Sequence, residues 1–291
     1  MGPHILCYTG LQAAHDPLVK AVASQRSPCR LCGLDAILCD SHYLPQSLYR
    51  IVARSYQPHD SAPVLYDARN HVVLRSNYQS VAKLLCSDCE IRFSSKAEDP
   101  IARQCFKGEN KFSLKDRLLS LEHSDLVNER RVFWGPEVEA KVGGQAVAYF
   151  VLSILWRGSV LEWKAPFDGF FGALGPYESV IREYLLNPEE LPQCVGILVY
   201  VDCDTPSRTG LTPPVSKVVR DLGPSCHAHD FMIPGLRFVV LVGKAAIKIT
   251  KVPLSFVEWS FLSSDYARVI SRALAIADAK GKLARESPPH R

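Results

Sequence analysis

Four cysteines in two closely spaced pairs constrain this chain more than any other feature. Cys29 and Cys32 form one Cys-x-x-Cys pair, and Cys86 and Cys89 form the other. Each pair offers two sulfurs to one ion, and four thiolates complete the tetrahedral shell of a structural zinc site. We predict that the two pairs converge on a single zinc ion. The alternative is that some of them are ordinary buried thiols, because free cysteine packs as a small hydrophobe.

Composition narrows the class of protein and its compartment. The chain has 291 residues, enough for about two domains, and its net charge of +4 is too small to indicate an anionic partner. Residues 1–25 lack the basic start and apolar core of a secretory signal, so we expect the ten cysteines to lie in a reducing cytoplasm. The longest apolar run, residues 146–155, spans about half a bilayer. It predicts a buried helix and no membrane partner.

In the first half, turn and cap signals surround the cysteine pairs. Gly33 between two short apolar segments predicts a hairpin that carries the first pair, with residues 37–39 in its second strand. The capping-box spacing of Ser95 and Glu98 predicts a helix start. Further helices are predicted over residues 47–54 and 112–133.

The second half predicts a mixed α+β arrangement that begins after the Gly135-Pro136 break. Its predicted elements are a buried helix over 136–156, a helix over 177–186, a strand over 194–201, a hairpin of 236–242 with 246–252, and a closing helix over 265–282. We therefore divide the chain into an N-terminal arm (1–25), a zinc-binding domain with a helical extension (26–134) and an α+β domain of unassigned function (135–291).

The motifs around the cysteines resemble those of zinc-stabilised members of the HNH endonuclease superfamily. They are Cys29-Arg30-Leu31-Cys32-Gly33, Ser41-His42-Tyr43-Leu44-Pro45 and Leu84-Leu85-Cys86-Ser87-Asp88-Cys89. More narrowly, the Ser-His-x-x-Pro motif and the Ser-Ile-Leu-Trp-Arg segment at 153–157 resemble a group of bacterial HNH-like proteins. The match covers residues 29–94 and extends only loosely into the second half.

This resemblance implies an N-terminal ββα-metal zinc domain of the treble-clef or HNH-like kind, followed by a mixed α+β domain with a buried helix and a small antiparallel sheet. It implies that His42 is the general base in the hydrolysis of a DNA phosphodiester, and that Glu90 supplies an oxygen to a catalytic Mg²⁺ or Mn²⁺ ion. Ser41 stands where a carboxylate or imidazole is usual.

Two alternatives therefore stay open. His42 can serve as a structural brace of the zinc hairpin, and the whole unit can be a catalytically inactive module that presents residues 50–80 to nucleic acid or protein.

Three other features have plainer interpretations. Cys39 is predicted to be a buried thiol and not a zinc ligand. The segment Cys226-His227-Ala228-His229 is predicted to be a solvated loop. Arg157 is predicted to pack and to cap the end of the apolar helix, where a cation complements exposed carbonyl groups.

Overall fold

The computed structural model describes residues 26–55, 64–67, 72–75, 77–107, 111–164, 169–204, 211–217 and 226–260, with isolated positions between 268 and 275. The predicted N-terminal arm and most of the predicted closing helix lie outside these residues. The described chain is mixed α+β, as expected.

A small antiparallel sheet carries the cysteine pairs. The first elements are β1 (Arg26–Pro28), β2 (Asp35–His42), α1 (Gln46–Ser55), β3 (Val64–Asp67), β4 (Val72–Arg75) and β5 (Val81–Cys86). Strands β1, β2 and β5 form the sheet in the order β1-β2-β5, and β3 pairs separately with β4. Gly33 takes a φ of +79° in the β1–β2 turn, a conformation that glycine adopts without steric cost. The predicted hairpin and the predicted helix over 47–54 are confirmed.

A single long helical segment follows β5 without a break. It comprises α2 (Ser87–Phe93), a π-helical turn (Ser94–Glu98) and α3 (Asp99–Gln104). The predicted helix start at Ser95 is wrong, because the helix already begins after Cys86. The wide turn comes directly before Pro100, which has no N–H to donate and whose ring crowds the carbonyl group four residues earlier.

The predicted helix over 112–133 is also wrong beyond its first turns. Helix α4 (Ser113–Leu119) ends in a polar segment, and β6 (Asp125–Val127) and β7 (Arg130–Phe133) then form a hairpin. Asn128 and Glu129 both take positive φ, which is the backbone of a tight two-residue hairpin turn.

The apolar helix of the second half is bent. Helix α5 (Pro136–Val142) meets α6 (Gly144–Val160) at 74°, and Gly143 between them has a φ of +70°. Every residue from 147 to 159 is buried. The predicted burial is confirmed for α6, but the single helix predicted over 136–156 is wrong, because the chain bends at Gly143. In the part of the chain that the structure describes, no single helix is long and apolar enough to cross a membrane, and only the bent α5–α6 pair passes by length and composition.

The remaining elements complete a seven-stranded sheet. They are α7 (Glu178–Leu186), β8 (Val195–Asp202), β9 (Thr212–Lys217), β10 (Cys226–Ile233), β11 (Leu236–Gly243), α8 (Ala246–Thr250) and β12 (Leu254–Trp259). The strand order is β6-β7-β12-β8-β11-β10-β9, with β8 and β12 parallel and the other described pairs antiparallel.

This sheet corrects three predictions. It is larger than the small antiparallel sheet that we expected, and it is mixed. Residues 246–250 are helical instead of a strand, since so short an apolar run fits either structure. The Cys226-to-His229 segment lies in β10 and not in a solvated loop. The predicted strand over 194–201 and helix over 177–186 are confirmed.

Helix α6 packs between the large sheet and the cysteine-bearing unit. Phe150 of α6 lies 6.0 Å from Phe238 of β11, measured between ring centroids. On the other side, Phe93 meets Trp156 edge-on at 6.1 Å. Arg182 of α7 also donates to the Leu31 carbonyl, at 2.6 Å. One buried apolar cluster therefore includes residues from both halves of the chain.

Candidate functional site

The four predicted cysteines meet at one point. The sulfurs of Cys29, Cys32, Cys86 and Cys89 all lie within 4.8 Å of one another, and the Sγ atoms of Cys32 and Cys86 are 3.8 Å apart. A tetrahedron with metal–sulfur bonds of about 2.3 Å has edges of about 3.8 Å. The cluster therefore has the donor set and the dimensions to hold a metal ion such as zinc.

Backbone geometry explains why each pair presents its sulfurs together. The N–H of Gly33 donates to the Cys29 carbonyl at 2.8 Å, which closes the turn of the first pair. The N–H of Cys86 donates to the Cys29 sulfur at 3.3 Å and so joins the two pairs. Cys89 lies in the first turn of α2, where exposed N–H groups favour negative charge.

The thiols of this cluster differ in their electrostatics. At Cys29, burial is outweighed by hydrogen bonds from backbone N–H groups, which lower the pKa of the thiol. Burial raises the pKa of the Cys86 thiol and of the Cys89 thiol, because a thiolate loses its hydration there. A bound divalent cation reverses this effect and keeps coordinating thiols deprotonated. Cys39 is half-buried and does not belong to the cluster, so the four sulfurs that could hold an ion are those of the two pairs.

A second group of polar side chains lies beside the cysteine cluster. The fully buried Ser41 hydroxyl donates to Oε1 of Glu90, the residue after Cys89, and accepts from the Leu85 N–H at 3.2 Å. The Nη2 atom of Arg157 lies 2.5 Å from Oε1 of Glu98 and 3.9 Å from Oε2 of Glu90. We call Ser41, Glu90, Glu98 and Arg157 the buried polar cluster.

The predicted packing of Arg157 is confirmed, but its predicted capping of the end of α6 is wrong, because the guanidinium donates to Glu98. The helix continues to Val160, and the Arg157 side chain is only 1% exposed. Its guanidinium carbon lies 4.7 Å from the centre of the Phe93 ring, and its carbonyl accepts from the Trp163 indole at 2.9 Å. The Nε and Nη1 atoms have no acceptor among the described residues.

His42 is the last residue of β2 and directly follows Ser41, a member of this cluster. Its side chain is half-buried, and burial followed by the charge of Arg157 lowers the pKa of His42. The side chain of Gln79 and the charge of Glu98 act in the opposite direction. His42 is therefore a neutral imidazole near pH 7, a form that suits either a general base or a hydrogen-bonded brace.

The donors around His42 do not fit a preformed site for a divalent metal ion. In the described part of the chain, the four cysteines are the one group of three or more metal-capable side chains close enough to share an ion. One Glu90 oxygen already accepts from Ser41, and the other faces the Arg157 cation. The predicted Mg²⁺ or Mn²⁺ ligand thus has its oxygens directed to groups of the protein itself.

Two residues of the cluster escaped prediction from sequence. Glu98 lies eight positions after Glu90. In a regular α-helix, the two side chains would point in directions that differ by about 80° around the helix axis. The π-helical turn between them has more residues per turn and removes most of this angle. The signal that could have identified Arg157 is its position on a helix that is otherwise apolar, where a charge needs a buried partner.

The other metal-capable segment, residues 226–229, forms no such group with other residues that the structure describes. His229 in β10 is fully buried, its Nδ1 atom lies 3.1 Å from the Ser216 hydroxyl, and burial lowers the pKa of His229 to about 4. Cys226 is buried as well.

Compared with known proteins, the chain matches no family model, no curated protein and no solved structure. The kinship with HNH endonucleases stays a prediction carried by the motifs of residues 29–94.

Replacing Ser41 by alanine is expected to destabilise the protein without releasing the metal. The change leaves the Leu85 N–H without its acceptor and Glu90 without its donor, which costs about 1–3 kcal/mol. Urea unfolding with parallel metal analysis measures both effects. Ser95→Ala, at an exposed serine of the helical segment that carries Glu90, is the control and should change stability by less than about 0.5 kcal/mol. Equal stability of the two variants would contradict the expectation.

Proposed function

We propose that this protein is an HNH-like, zinc-stabilised endonuclease that hydrolyses phosphodiester bonds in DNA with His42 as general base. The observation that carries the proposal is the convergence of the two cysteine pairs, beside which Ser41, the residue before His42, contacts Glu90. The antiparallel strands β2 and β5 followed by α2 agree with the strand-strand-helix order that the resemblance implies.

The environment of His42 supports its proposed role. A general base must be unprotonated at the working pH and must reach the water that it activates. Burial and the neighbouring Arg157 charge keep the imidazole neutral, and the half-buried side chain retains an accessible part. In this proposal the imidazole nitrogen takes a proton from the water that attacks phosphorus.

The metal at the cysteine cluster has a structural role in this proposal. A zinc ion with four thiolate ligands has no open position for water or substrate, in contrast to a catalytic zinc ion. When bound, it cross-links β1–β2 to the β5–α2 junction, and so holds Ser41 against Glu90. The cysteines position the site, whereas His42 does the chemistry.

A specific observation favours a second candidate, a zinc-stabilised binding module without turnover. The two carboxylate oxygens of Glu90 face Ser41 and Arg157, which are groups of the protein itself. Such contacts suit a braced scaffold as well as a catalytic site. This module would bind DNA and leave it intact.

The decisive experiment is a plasmid-nicking assay with zinc-loaded protein, in buffers with and without Mg²⁺. We expect His42→Ala to slow nicking by about 10²–10⁴-fold, the contribution of a positioned general base, while zinc content and the unfolding temperature stay close to those of the unaltered protein. His123→Ala, at an exposed histidine of the α4–β6 connection, is the matched control and should cleave normally.

Undiminished cleavage by His42→Ala would remove His42 from the mechanism. Binding of a fluorescent duplex without any nicking, by the unaltered protein in either buffer, would instead establish the binding module.

A further inference from the structure

We infer that the Arg157 guanidinium is the resident cation of the His42 site, standing between Glu90 and Glu98 where a catalytic divalent ion would otherwise be held. The inference depends on the proposed function in one respect only, namely that the residues around His42 form the active site. Its geometric basis holds whether or not the protein cleaves DNA.

The first step is the position of the charge. A single nitrogen, Nη2 of Arg157, faces one carboxylate oxygen of each glutamate, at 2.5 Å for Glu98 and 3.9 Å for Glu90. Both glutamates belong to the helical segment that follows the second cysteine pair, and the π-helical turn brings them to one side. The two carboxylates are thus arranged around a common cation, and the chain supplies it.

The second step is burial. The side chains of Glu90 and Glu98 are 26% and 17% exposed, and that of Arg157 is 1% exposed. Two carboxylates so close together in a partly dry environment require a neutralising charge. Without the guanidinium, a proton or an external cation has to take its place. Oxygen donors of this kind are the ligands that Mg²⁺ and Mn²⁺ prefer.

The third step is that Arg157 is fixed in place. Its guanidinium lies over the Phe93 ring, and the next residue, Gly158, is in close contact with Tyr43 and Phe170. A long side chain at a solvated surface could rotate away and admit a metal ion. The Arg157 side chain is instead buried between α6 and the helical segment that carries Phe93 and Glu98. The site is therefore closed to a divalent ion in the native chain, and hydrolysis by this protein should not depend on added Mg²⁺.

The test measures Mn²⁺ binding to the zinc-loaded full chain without DNA, by the electron paramagnetic resonance signal of free Mn²⁺. The unaltered protein should bind no Mn²⁺ at this site. Arg157→Met largely keeps the length of the side chain and removes its charge. This variant should acquire one Mn²⁺ site whose affinity is at least about 100-fold higher than any Mn²⁺ binding by the unaltered protein. Glu90→Gln in the Arg157→Met background should abolish it. Arg157→Lys retains a cation and should bind none.

One Mn²⁺ bound by the unaltered protein and lost in Glu98→Gln would overturn the inference. Folded, zinc-loaded Arg157→Met without a new Mn²⁺ site would overturn it too. If Arg157→Met does not fold, the comparison of the unaltered protein with Glu98→Gln decides the question. Because no step involves DNA, a failure here is distinguishable from a failure of the proposed nuclease activity.

Discussion

Replacing Cys89 by serine is expected to abolish metal binding and to unfold the cysteine-bearing unit. Cys89 supplies one of four sulfurs, and a hydroxyl is a poor substitute for a thiolate. Structural zinc sites contribute about 10–16 kcal/mol of apparent binding free energy in small domains, and that energy is folding energy. We expect zinc content to fall from one ion per chain to none. The unfolding temperature should fall by more than about 10 °C, since 1 kcal/mol corresponds to about 2–4 °C in a domain of comparable size.

Cys39→Ser is the matched control for this prediction. Cys39 lies on β2, between the first cysteine pair and His42, and is not part of the cluster. Its replacement should leave one zinc ion per chain. Metal analysis and differential scanning calorimetry of both variants test the assignment. Full zinc content in Cys89→Ser, or zinc loss in Cys39→Ser, would show that the ligand set is different.

Gly158→Ala is expected to cost at least about 3 kcal/mol of stability, the upper part of the range for overpacking a core. A Cβ at this position would overlap the Tyr43 hydroxyl and lie 2.8 Å from Tyr43 Cζ and 2.9 Å from Phe170 Cδ1. Tyr43 has little room to move, because it is fully buried and stacked on Trp163 at 4.9 Å. In an exposed helix the same change would stabilise by about 1 kcal/mol, because alanine favours the helix more than glycine does. A loss of stability would therefore indicate the overlap with Tyr43 and Phe170.

The double variant Tyr43→Phe with Gly158→Ala separates the clash from other causes. Removing the hydroxyl relieves the closest overlap, so the two changes together should cost less than the sum of their separate costs. Urea unfolding of the four proteins gives this coupling energy. If the two changes in unfolding free energy simply add, the contact between Gly158 and Tyr43 does not explain the loss of stability in Gly158→Ala. Since Tyr43 follows His42, we also expect Gly158→Ala to impair any activity that depends on His42.

The sequence was most informative where chemistry is encoded over short distances. The Cys-x-x-Cys spacing predicted the convergence of the four sulfurs because the turn that aligns two sulfurs is complete within a few residues. A dense β-branched run likewise predicted β8, and apolar helical patterns predicted α6 and α7. In these elements, the residues that favour the strand or helix are also the residues that are buried, so a short stretch of sequence contains the information that decides the structure.

Predictions failed where a short pattern fits two structures. Residues 246–250 are helical although their apolar content also fits a strand, and β6 and β7 replace the second part of a predicted helix. In the latter case the turn at Asn128 and Glu129 and the pairing of β7 with β12 decide the structure. Strand pairing involves residues far apart in the chain, so a local window does not contain the deciding interaction.

The sequence by itself determined which four cysteines come together and the buried nature of α6. Only the tertiary structure decided what surrounds His42, because that depends on how α6 docks against the helical segment after Cys89. This docking brings Arg157 between two glutamates that the chain places more than fifty residues away. A buried charge is stable only beside its counter-charges, and their convergence is a property of the packed fold.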